Sequence, residues 1–130
     1  QQLFTVFGQP RTRIEQKGRE YIAHMDGVDV YDPVKNSIEA TKAGKVAAWF
    51  LDTNYDGRTF CICQAFFPDK SAWEKLSKAL SGSIDAEAFA AFSGTTSLPF
   101  HLGGHRRVAV KVIDPRGNEV MRVHSLGTLP

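Results

Sequence analysis

Two apolar runs dominate what this chain can fold into. Val46-Ala47-Ala48-Trp49-Phe50-Leu51-Asp52 and Thr59-Phe60-Cys61-Ile62-Cys63-Gln64-Ala65-Phe66-Phe67 stand on either side of Thr53-Asn54-Tyr55-Asp56-Gly57-Arg58. Neither run alternates cleanly between apolar and polar. On a strand, Trp49 and Leu51 share one face while Ala48 and Phe50 share the other. A strand that is apolar on both faces is covered on both sides, which places it at the centre of a sheet. The Asp56-Gly57 pair supplies the positive-φ position that a hairpin connection needs. The two runs are therefore expected to form the central hairpin of the core.

Further strands flank this centre. Phe4-Thr5-Val6-Phe7 is short, aromatic and β-branched, and Gly8-Gln9-Pro10 is expected to end it. Thr12-Arg13-Ile14-Glu15 and Glu20-Tyr21-Ile22-Ala23-His24 enclose a turn at Gln16-Lys17-Gly18-Arg19. Val28-Asp29-Val30-Tyr31 alternates and meets Asp32-Pro33, a turn signal because proline fixes φ and lacks an N–H. Residues 35–44 are polar and read as a loop carrying at most a short edge strand. Asp69 and Ser71 are plausible N-caps for a helix with Trp73, Leu76, Ala79 and Leu80 at helical spacing, and Asp85 can cap a second over residues 86–92. Residues 94–104, with Pro99 and three glycines, read as a connecting loop. Val108-Ala109-Val110-Lys111-Val112-Ile113 and Glu119-Val120-Met121-Arg122-Val123 then flank Asp114-Pro115-Arg116-Gly117-Asn118, a last hairpin. Strands, two helices and a closing strand pair predict an α+β domain: a mostly antiparallel sheet built from hairpins, with two short helices packed on one face.

The 130 residues suit one domain, residues 1–130, with one core. Such a length removes roughly two thirds of the unfolded surface from water without help from a metal or disulfide. A hydrophobic share of 42% and a charged share of 23% argue against disorder. The net charge of +2 is too small to imply nucleic-acid binding by itself. No apolar stretch is long enough to span a bilayer, so no membrane partner is expected. The chain opens Gln1-Gln2-Leu3-Phe4 with no initiator methionine, and is expected to be a domain of a longer polypeptide. Cys61 and Cys63, two residues apart in an apolar run, read as small core residues of a protein from a reducing, cytoplasmic compartment.

The chemistry-bearing residues do not assemble into a familiar site. No glycine-rich turn follows a first strand in the way a cofactor-binding fold requires. Asp32-Pro33-Val34 lacks the second proline and the aromatic ring that would stack on a flipped base, and reads as a β-turn. Glu15-Gln16-Lys17 and Asp69 hold nuclease residue types in the wrong order. His101 and His105 have no third ligand nearby in sequence. Ser71 and Ser81 have no neighbouring histidine base. No catalytic, cofactor or metal residue is therefore assigned. The one candidate for contact with DNA phosphates is the basic ribbon Arg106, Arg107, Lys111, Arg116 and Arg122 on the last hairpin, with Lys111 and Arg122 facing the same way and Arg116 at the tip.

Several segments, in order, resemble the C-terminal region of adenine-specific DNA methyltransferases of the type III modification-subunit kind. They are Val28-Asp29-Val30-Tyr31-Asp32-Pro33-Val34, Ala48-Trp49-Phe50-Leu51-Asp52-Thr53-Asn54-Tyr55-Asp56-Gly57, Ser97-Leu98-Pro99-Phe100, Val108-Ala109-Val110-Lys111-Val112-Ile113 and Gly117-Asn118-Glu119-Val120-Met121. The similarity runs from about residue 7 to residue 123. Asn54 stands where the family has an acidic residue, and Cys61-Ile62-Cys63 replaces a more aromatic strand. The resemblance implies a non-catalytic accessory domain of an S-adenosylmethionine-dependent enzyme, with the methyl-transfer motifs and the cofactor elsewhere in the parent protein. The expected partners are the rest of the methyltransferase and a restriction subunit. The rival expectations are a DNA-contacting module that uses the basic hairpin and, last, a small autonomous enzyme.

Overall fold

The computed structural model describes residues 7–69, 71 and 92–127. Among these residues seven strands follow one another: β1 (Phe7–Lys17), β2 (Glu20–Asp32), β3 (Ser37–Lys42), β4 (Ala48–Asp52), β5 (Gln64–Phe66), β6 (Arg107–Ile113) and β7 (Glu119–Ser125). They form two antiparallel sheets, one ordered β1-β2-β3 and the other β5-β4-β6-β7.

The expected α+β arrangement, one sheet with two helices on one face, is overturned by this pairing. The apolar face of each sheet is covered by the other sheet. Among the described residues the complete helical element is a single 3-10 turn, Ala43–Lys45. Most of the expected helical stretches, 69–80 and 86–92, lies outside the described residues. At their start, Asp69 Oδ1 does accept the Ser71 N–H at 3.0 Å and its hydroxyl at 2.8 Å.

The long β2 strand shows how the first sheet serves the core. Ala23 and Met25 point inward, and so do Val28 and Val30, although the two pairs differ in parity. The register of β1 against β2 shifts between Arg11 and Thr12, leaving Asp26 as the extra residue. A bulge of one residue sends every later side chain to the opposite face. Gly27, with φ 137°, makes the bulge possible, because a Cβ there would strike the Arg11 guanidinium and the Thr41 carbonyl.

From the second sheet, Trp49 and Leu51 of β4, Phe66 of β5 and Val108, Val110 and Val112 of β6 meet β2. Trp49 is fully buried, stacks on Phe66 at 4.2 Å between centroids, and donates its indole N–H to the Gly94 carbonyl at 3.0 Å. The apolar run around Trp49 therefore lies at the centre of its sheet as expected, with β5 on one side and β6 on the other.

The second apolar run, expected as the other half of a central hairpin, contributes only the three-residue edge strand β5, and residues 59–63 are loop. Two further elements depart from their sequence reading. Strand β1 does not stop at Gly8-Gln9-Pro10 but runs through it, with Pro10 opposite Val28. As an edge strand within its sheet, β1 tolerates the missing N–H. Residues 95–100 are not a plain connection, since they pair with the first half of β2. Tyr21 and Phe100 exchange two backbone bonds of 2.8 and 2.9 Å, and Ser97 donates to the Ala23 carbonyl at 2.8 Å. On the far side, the Gln64 amide of β5 clasps the backbone of Leu98 at 3.0 and 3.3 Å. The stretch thus ties the edge of one sheet to the edge of the other.

Candidate docking surface

The β2–β3 hairpin ends in the most exposed apolar groups among the described residues. Asp32 Oδ1 accepts the Val34 N–H at 2.9 Å and the Lys35 N–H at 3.3 Å, which closes the turn expected from Asp32-Pro33. Asn36 takes a positive φ of 51° and accepts the Tyr31 hydroxyl at 2.7 Å. That bond holds the phenol across the turn. Tyr31 and Ile38 sit directly opposite each other and share one face of the sheet. Val34 is 75% exposed and Ile38 is 72% exposed, values that no contribution to the core explains.

Tyr31 also separates two shallow cavities. One, of about 220 Å³, lies between Tyr31, Pro33 and Val34 and the tip residues Arg116 and Asn118 of the neighbouring hairpin. The other, of about 260 Å³, lies between Tyr31, Ile38, Gly8 and Asp29. An aromatic ring flanked by recesses and aliphatic side chains is the form of an anchoring surface. The signal in the sequence was a pair of aliphatic residues, Val34 at the Asp32-Pro33 turn and Ile38 within residues 35–44, a stretch otherwise polar enough to read as loop.

The five basic residues of the last hairpin do not form a ribbon. Lys111 pairs across the strands with Met121, and Val110 with Arg122. Successive residues point to opposite faces, so Lys111 and Arg122 are on opposite sides of the sheet rather than the same side. Lys111 is held by Glu119 at 2.9 Å and stands 4.6 Å from the centroid of the Phe60 ring. Arg116 reaches Glu39 of β3 at 2.7 Å, joining the two hairpin tips, with Asp114 a further 4.0 Å contact. Arg107 donates to the Asp56 carbonyl at 3.0 Å, while its Nε is buried without a hydrogen-bond partner. Arg106 donates to the Gly127 carbonyl at 3.0 Å. Arg122 is exposed.

The remaining ionisable groups serve the fold locally. Asp52 is buried and accepts the Asn54 N–H at 3.0 Å and the Cys61 N–H at 2.8 Å, so it organises the loop after β4. Backbone N–H donors from Thr59 and Arg58 hold the Asp56 carboxyl below its ordinary range, with His105 and Arg107 adding to the effect. The hydrogen bond from His24 does the same for Glu15. Burial, and secondly the charge of Arg122, lower the pKa of His124, whose Nε2 lies 2.7 Å from the Thr12 hydroxyl of β1.

His101 is exposed and lies 3.8 Å from Glu20. Among the described residues no three His, Cys, Asp or Glu side chains gather in a metal-binding group. Cys61 and Cys63, expected in the core, are both exposed, because the chain at 61–63 is a loop and β5 begins only at Gln64.

Fold and surface together define a two-sheet antiparallel β domain with an aromatic and aliphatic tip. Compared with protein-family models, curated proteins and solved structures, the chain matches none. No helix among the described residues is long and apolar enough to cross a membrane.

Proposed function

We propose that this chain is a non-catalytic docking domain of an adenine-specific DNA methyltransferase of the type III modification-subunit kind, working in the cytoplasm and seated against the rest of that enzyme. The observation that carries the reading is the exposure of Val34 and Ile38 around Tyr31. Exposed aliphatic groups beside an aromatic ring lose free energy to water until a partner covers them. The tip also coincides with Val28-Asp29-Val30-Tyr31-Asp32-Pro33-Val34, one of the segments that resemble the family. On this reading S-adenosylmethionine and the methyl-transfer residues belong to the parent enzyme's other regions.

The test is association of this chain with the catalytic region of its parent methyltransferase, followed by calorimetry. A complex is expected, weakened about tenfold or more, ~1.4 kcal/mol, by the pair Val34→Glu and Ile38→Glu. Absence of a complex, or a complex indifferent to both changes, would sink the proposal.

The rival reading, phosphate contact by the last hairpin, draws on the exposure of Arg122. It requires DNA affinity that falls steeply with salt and drops further when Arg106, Arg107, Lys111, Arg116 and Arg122 are neutralised. A chain that ignores DNA at low salt would eliminate it.

A further inference from the structure

Cysteine is ordinarily among the most buried residue types, and an exposed thiol is defined more by its reactivity than by packing. Here both cysteines are exposed, and they are two residues apart on one loop. That loop is pinned to the central strand. Cys61 donates its N–H to Asp52 Oδ2 at 2.8 Å, and Asp52 is itself buried. Cys63 donates its N–H to the Leu51 carbonyl, also at 2.8 Å. The backbone carrying the two sulfurs is therefore anchored at both cysteines to adjacent residues of one rigid strand end.

The sulfurs have comparable surroundings. The Cys61 thiol lies 3.9 Å from the Thr59 carbonyl, and the Cys63 thiol 3.7 Å from the Cys61 carbonyl. Each sulfur leans toward the carbonyl two residues upstream, through a long and weak contact that costs little to give up. The Thr53 hydroxyl donates to Cys63 Sγ at 3.5 Å, the kind of hydrogen bond that supports a sulfur carrying negative charge.

We propose that Cys61 and Cys63 form a two-thiolate site for a soft, thiophilic cation, with Cu(I) as its probe. Two sulfur ligands fall short of the four that a closed zinc site needs. They suit a soft cation that selects thiolates and accepts low coordination. On binding, each thiol loses its proton to solvent and two Cu–S bonds form. No electron changes hands, and the complex carries one net negative charge. Thr53, whose hydroxyl donates to Cys63 Sγ, is the positioning group on this chain. The site lies on the loop after β4, apart from the β2–β3 tip, and stands or falls independently of the docking proposal.

The test is an anaerobic titration of the full chain, kept reduced, with Cu(I) against a chromophoric Cu(I) chelator. One ion per chain is expected, with two sulfurs in its shell by X-ray absorption. Affinity should fall about 100-fold or more in both Cys61→Ser and Cys63→Ser, since either change removes the second, intramolecular ligand. Both side chains are exposed, so the serine variants leave the fold intact. A synthetic peptide spanning residues 59–64 is the control for a pair that is not held in place, and should bind about tenfold more weakly than the folded chain. Equal affinity in either serine variant, a shell without two sulfurs, or a peptide that binds as tightly as the protein would overturn the proposal.

Discussion

The chain contains the turn pattern Asp-Pro-x-x-Asn twice, and the two occurrences have different fates. Asp32-Pro33-Val34-Lys35-Asn36 closes the β2–β3 hairpin, and Asp114-Pro115-Arg116-Gly117-Asn118 closes the β6–β7 hairpin. In both, the aspartate carboxylate accepts backbone N–H groups two residues on and beyond, and a residue near the end takes positive φ. The asparagines differ. Asn118 turns back on its own aspartate and donates to Asp114 Oδ2 at 2.9 Å, so the second turn is closed on itself. Asn36 instead accepts the Tyr31 hydroxyl, which leaves the first turn open and its phenol oriented. Asp114 is 1% exposed and bonded three times, whereas the first tip presents Val34 and Ile38 to solvent. One tip is closed by its own hydrogen bonds, and the other leaves two aliphatic side chains in water. A shared turn motif sets the bend, and the neighbours decide its use.

The sharpest way to break this comparison is to remove each aspartate. Asp114→Ala strips a buried acceptor from three donors and should cost about 3 kcal/mol in urea unfolding, whereas Asp32→Ala should cost about 1 kcal/mol or less. Equal costs would erase the distinction. Next in size is Gly117→Ala. A Cβ there meets nothing within 4 Å, but the φ of 90° is unfavourable for alanine, so a loss of about 1 kcal/mol is expected by the same measurement.

Smaller is the link between the tips. Arg116 and Glu39 are both partly exposed, and a double-mutant cycle with Arg116→Ala and Glu39→Ala should return a coupling of about 0.2–1 kcal/mol. Val34→Ser with Ile38→Ser should change stability by no more than about 0.5 kcal/mol each, even where association is lost. A large unfolding cost would mean that these side chains serve the core and not a partner.

Acid provides a final discrimination. Burial lowers the pKa of His124, so the folded chain binds fewer protons there than the unfolded one. The stability this contributes is complete above the unfolded value of about 6.5 and is lost as pH falls from there toward the folded value. Glu15 and Asp56 have lowered pKa values of the opposite charge type, so their contribution disappears only as pH falls below about 4. Amide protection factors should therefore fall where β1 meets β7, at Thr12 and His124, in mild acid before they fall elsewhere. Replacing His124 with asparagine should abolish that first phase. A seam unaffected by pH between 6.5 and 5 would refute the assignment.

Much of the local plan was legible in the residues. Gly18, with φ 63°, marks the β1–β2 turn, and both Asp-Pro turns fall where their residues put them. Trp49 and Leu51 on one face, with Ala48 and Phe50 on the other, announced a central strand. Four features were not legible: the parity switch at Asp26, the pairing of residues 95–100 with β2, the opposite faces of Lys111 and Arg122, and the exposure of Cys61 and Cys63. Each depends on the register in which backbone bonds form between segments, near in the chain for three of them and distant for residues 95–100 with β2. A one-residue change of register reverses a face without altering any residue type.

The amino-acid order alone determined the turns and the apolar centre, because a turn is decided by the φ preferences and side-chain acceptors of about five consecutive residues. Only the tertiary structure decided that a second sheet packs against the first. It alone left Tyr31, Val34 and Ile38 at an uncovered tip. Burial of an apolar side chain is a property of what packs against it, and local sequence carries no record of a partner brought in from elsewhere in the chain.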